Sequence, residues 1–83
     1  MKTQLSKQHL DSAKRIGLLL ASAGTTSQGK IDETITHACL AIGLNGDEYI
    51  AYTDEVYRVL FVEAPEVRGA FLDSFVQRML DKA

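Results

Sequence analysis

The chain is poor in the residues that usually give a small protein away. It has one cysteine, one proline and no tryptophan, and its only aromatics are three tyrosines and three phenylalanines. A single cysteine excludes an internal disulfide framework and fits a reduced, cytoplasmic setting. One proline and so few rings leave little from which to build a turn-rich β-barrel. Long apolar runs are missing too. The longest, Ile16-Gly17-Leu18-Leu19-Leu20-Ala21, falls far below the roughly 18 residues of a membrane span. Behind Lys14 and Arg15, and ending in Ala21-Ser22-Ala23, it imitates a signal peptide. Cleavage there would leave an isolated cysteine and too little core. The run reads better as one helix pressed into a core from several sides.

What is present is a globular composition, 46% apolar and 24% charged, in 83 residues. That length sets one small domain over residues 1–83, burying roughly 60% of its unfolded surface and holding a thin margin of stability. Apolar residues recur every three and four positions, which predicts an all-α bundle of about four short helices near 4–23, 28–43, 46–62 and 65–81. In the first, Leu5, His9, Ala13, Ile16, Leu20 and Ala23 share a stripe. Ile31, Ile35, Ala38 and Ile42 do so in the second, for which Ser27 is a suitable cap. The third has Tyr49, Tyr52, Val56, Val59 and Leu60 on one side, with Asn45 as its expected cap and Asp47 and Glu48 at its positive end. A strand hairpin is the competing reading of that segment, since it is rich in β-branched and aromatic residues. Pro65 suits the first position of the fourth helix.

Motifs that would carry chemistry fail on their details. Gly24-Thr25-Thr26-Ser27-Gln28-Gly29-Lys30 matches the core of a phosphate-binding loop, yet Ile31 stands where the magnesium-binding hydroxyl belongs. Its weaker form is an anion site at Gly29 and Lys30 on a helix N-terminus. Residues 35–52 have helix-turn-helix spacing, but the would-be recognition helix carries Asp47, Glu48, Asp54 and Glu55 against Arg58 alone. Those carboxylates repel phosphates. His37 and Cys39, two apart, diverge on a helix, and His9 is distant, so no metal is expected. Neighbouring carboxylates likewise diverge. No spacing requires catalysis or a cofactor.

Charge is the informative feature. The formal net charge of −2 conceals a gradient: Lys2, Lys7, Lys14 and Arg15 against Asp11 give +3 over residues 1–22. Asp47, Glu48, Asp54, Glu55, Glu63 and Glu66 against Arg58 give −5 over residues 47–67. One consequence is a basic first helix lying beside an acidic third. The functional expectation is a non-catalytic interaction module, an adaptor or inhibitor. It would present Asp47, Glu48, Tyr49, Tyr52, Asp54, Glu55 and Arg58 to a protein partner with a basic surface. The three tyrosines span too wide an arc for all to point inward on a helix buried on one side. The alternative is a nucleic-acid-binding regulator using Lys7, Lys14 and Arg15, with Gly29 and Lys30 as further contacts. Apolar residues on more than one stripe, Ile50, Tyr57 and Phe61 and then Phe71, Leu72, Phe75, Val76, Met79 and Leu80, predict either a central helix pair or a homodimer.

Overall fold

The computed structural model describes residues 4–71 and 73–81. Lys2, Leu72 and Lys82 lie outside them, as do the side chains of Ser74 and Met79. Every regular element among the described residues is helical: α1 (Lys7–Ala23), α2 (Gln28–Ile42), α3 (Asp47–Glu63), α4 (Pro65–Arg68) and α5 (Asp73–Asp81). The third segment is helix, not a strand hairpin. Local chemistry sets the ends. Ser6 caps α1, its Oγ accepting from His9 N–H at 3.2 Å, which trims the expected start at residue 4. Leu5 before that cap and Leu10 within the helix hold the spacing of a hydrophobic staple, and both belong to the core. Ser27 caps α2 in the same way, accepting from Lys30 N–H.

The connection from α2 to α3 depends on positive φ at both of its ends. Gly43 at φ 76° ends α2 in a left-handed turn, and Leu44 N–H returns to the Cys39 carbonyl at 2.9 Å. Leu44 is buried by that turn, completing the hydrophobic contact of such a cap. The cap of α3 is Gly46, not Asn45: its φ of 60° and ψ of −132° suit glycine, and no side chain bonds the first amides. The acidic first turn, Asp47 and Glu48, serves the dipole instead.

The expected fourth helix is two. After Arg68 the bonds shorten to an i,i+3 pattern, Ala70 N–H to Val67 O at 3.0 Å and Phe71 N–H to Arg68 O at 3.1 Å. Gly69, a poor helix former, sits at the break. Arg68 also reaches back, its Nη2 donating to the Phe61 carbonyl at 2.9 Å, which satisfies an acceptor at the C-terminal end of α3.

α3 is the hub: α1, α2, α4 and α5 all pack against it, α1 most extensively. Tyr52, Val56, Tyr57, Val59, Leu60 and Phe61 of α3 are all buried, while Ile50 and Val62 stay about half exposed, so most of its surplus of apolar faces is spent inside one chain. That outcome is the central helix arrangement. The radius of gyration, 11.8 Å, is that of a close-packed chain of this length.

Gly17 sets the closeness of α1 to α3. A Cβ built there would lie 2.8 Å from Val59 Cβ and 3.0 Å from Val56 O. Ser12 meets Tyr52 and Gly17 meets Val59, so the two helices run side by side in the same direction.

Candidate functional site

The three tyrosines of α3 project toward neighbouring helices. Tyr52 OH pairs with Ser12 Oγ of α1 at 2.9 Å, and Tyr49 OH with Thr36 Oγ1 of α2 at 3.0 Å. Tyr57 OH donates to Asp32 Oδ1 of α2 at 2.6 Å. Tyr52 and Tyr57 are buried and Tyr49 half-buried. All three therefore tie α3 to its neighbours. This corrects the expected role of Tyr52 as a partner contact: a helix enclosed on several sides buries a wide arc of side chains. Burial raises the Tyr57 phenol far above its ordinary pKa, and the bond to Asp32 adds to the effect. Burial raises Tyr52 as well. Cys39 is a buried core thiol whose pKa burial raises, so its thiolate is disfavoured.

The carboxylates take the remaining side. Asp47, Ala51, Asp54, Glu55, Arg58 and Val62 recur at three and four positions, forming the least buried stripe of α3, with Glu48 at its edge. Asp47 and Glu48 are exposed; Asp54, Glu55 and Arg58 are half-buried. Arg58 grips Glu55 in a two-point contact, Nε to Oε1 at 2.9 Å and Nη2 to Oε2 at 2.7 Å. That hydrogen bonding raises the Arg58 pKa. The pair neutralises itself and holds both side chains on the stripe.

The basic candidates are divided. Lys7, Lys14 and Arg15 are exposed on α1. Gly29 and Lys30 are exposed in the first turn of α2, past the far end of α1. At 1.5 Å per residue the 17-residue α1 is about 25 Å long, which separates Lys7 from Lys30. The glycine-bearing string that resembled a phosphate loop is the C-cap of α1 at Gly24 joined to the N-cap of α2 at Ser27. The helix-turn-helix reading finds no support in α3, which packs against α1, α2, α4 and α5 and whose outward side carries Asp47, Asp54 and Glu55, carboxylates that repel phosphates. Among the described residues no three His, Cys, Asp or Glu side chains gather where they could hold a metal ion. Nor is any helix there long and apolar enough to cross a membrane.

Between the basic and acidic helices lies an open groove of about 230 Å³, lined by Lys14 and Leu18 of α1 and Arg58, Val59, Val62 and Glu63 of α3. Leu18 is 48% exposed and Val62 51%. No sequence signal marked this groove: Leu18 and Leu19 read as part of a run pressed into the core. No protein-family model matches the chain, and no curated protein or solved structure matches it.

Proposed function

We propose that the protein is a non-catalytic interaction module whose contact surface is the outward stripe of α3. The observation that supports this reading is the concentration of Asp47, Glu48, Asp54 and Glu55 on the one uncovered side of the central helix. Four carboxylates against Arg58 make a negative strip, and the rigid hub beneath it limits the ordering cost of binding. The partner is a protein with a basic surface, steered by charge.

Immobilised wild-type chain and the Asp47→Lys/Glu48→Lys variant test the reading against a native cell extract. Both substituted residues are exposed, so helix content by circular dichroism should be unchanged. The expected result is a basic-surfaced protein held by the wild type and lost by the variant, with binding weakening as salt rises. Retention of every captured protein by the variant contradicts the proposal. The second reading, nucleic-acid binding, draws on exposed Lys7, Lys14 and Arg15. It would replace the first if a salt-sensitive shift of DNA or RNA disappeared on neutralising Lys14 and Arg15.

A further inference from the structure

The groove between α1 and α3 has a property that the acidic stripe lacks: its two ends carry opposite charge. Ser12 lies against Tyr52 and Gly17 against Val59, so the register of the two helices is known. Lys14 therefore stands toward the start of the groove and Glu63 at its far end, roughly 10 Å apart along the helices at 1.5 Å per residue. Arg58 is already occupied by Glu55. Leu18 lies between the two ends and Val62 beside Glu63, each about half exposed. Other exposed apolar residues, such as Leu40 and Ile50, are not part of this groove.

We propose that this groove is the docking site for a second copy of the same chain. A patch that is positive at one end, apolar in the middle and negative at the other is complementary to itself. A two-fold axis lying in the surface, across the line from Lys14 to Glu63, sets Lys14 of each copy against Glu63 of the other. The same operation brings the two Leu18 side chains together near the centre, with Val62 of each copy flanking them, and excludes water from between them. A specific interface near 1,200 Å² in total takes about 600 Å² from each copy's 5220 Å² of surface. Such an interface covers Leu18 and Val62, apolar side chains that a small core leaves outside. It goes beyond the partner reading, because it leaves the exposed Asp47 and Glu48 at the other end of α3 uninvolved.

The mass of the whole chain in solution, followed by light scattering or sedimentation over a thousandfold range of concentration, tests the proposal. The wild type should pass from the 9.1 kDa monomer to twice that mass as concentration rises. Glu63→Lys alone, or Lys14→Glu alone, should weaken the dimer about tenfold, since symmetry repeats each repulsion twice. The Lys14→Glu/Glu63→Lys double variant should restore it to within about threefold. Val62→Asp should abolish it. Asp47→Lys/Glu48→Lys should leave it unchanged, which separates this test from that of the partner proposal. A wild type that stays at 9.1 kDa throughout overturns the dimer. A dimer indifferent to the charge swap, or broken by the Asp47 and Glu48 changes, overturns its placement in this groove.

Discussion

The two flanks of α3 are held by opposite means. Against α1 the contact is one of closeness: Gly17 admits the backbone and side chain of α3 where no β-carbon fits, and Ala13 is buried nearby. Against the carboxy-terminal elements the contact is one of bulk. Tyr57, Phe61, Phe71 and Phe75 form a cluster with ring centroids 5.1–6.0 Å apart. Phe71 and Phe75 stack at 16°, and both meet Tyr57 and Phe61 at steep angles. Arg78 lies 5.4 Å over the outer Phe75 ring. One flank tolerates no added volume and the other depends on it. Each leaves α3 fixed, which makes its one uncovered side a stable platform.

The largest expected effect is on the bulky flank. Phe61→Ala empties the middle of the ring cluster and should cost about 3–5 kcal/mol, a large share of the margin of a small domain. Urea denaturation followed by circular dichroism reads it, and a loss under about 1 kcal/mol would show that the cluster is peripheral. The close flank is probed by Gly17→Ala, where the sign is decisive. In an exposed helix that change stabilises by up to about 1 kcal/mol. Here the added methyl meets Val59 and Val56 O, and destabilisation of about 1–3 kcal/mol is expected. A stabilised Gly17→Ala protein would mean that α1 sits farther from α3. Tyr57→Phe keeps the ring and removes only the bond to Asp32, so the expected loss is smaller, about 1 kcal/mol. Smallest is Glu55→Gln, on the outward stripe, at no more than about 1 kcal/mol in the same measurement.

Much of this frame is legible in the residues themselves. Spacings of three and four mark the helices, and the chain terminates α1 and α2 with glycine and opens α4 with Pro65. The surplus of apolar faces on the third helix left two explanations open, a central position or a dimer, and the structure places α3 at the centre. What stays hidden depends on residues distant in sequence. The bonds Tyr52–Ser12 and Tyr57–Asp32 join positions 40 and 25 residues apart, and no local pattern marks either partner. Read without them, tyrosines beside carboxylates look like interface. Gly17 is hidden for the same reason: its value is that Val59 lies beside it. The break between α4 and α5 escapes periodicity because Phe71 and Phe75 keep a helical spacing across it.

That α3 turns Tyr52 and Tyr57 inward and leaves its carboxylates on the outward side is open to one direct measurement. The chain has three tyrosines and no tryptophan, so the phenolate absorbance on raising pH reports these side chains cleanly. Tyr52 and Tyr57 have raised pKa values in the folded protein, chiefly through burial. Their contribution to stability is therefore complete below about pH 10, where the unfolded phenol titrates, and declines above it. The predicted result is that two of the three tyrosines stay protonated past pH 10 and ionise only as the helical signal collapses. Ionisation of all three near pH 10 with the helices intact would contradict it.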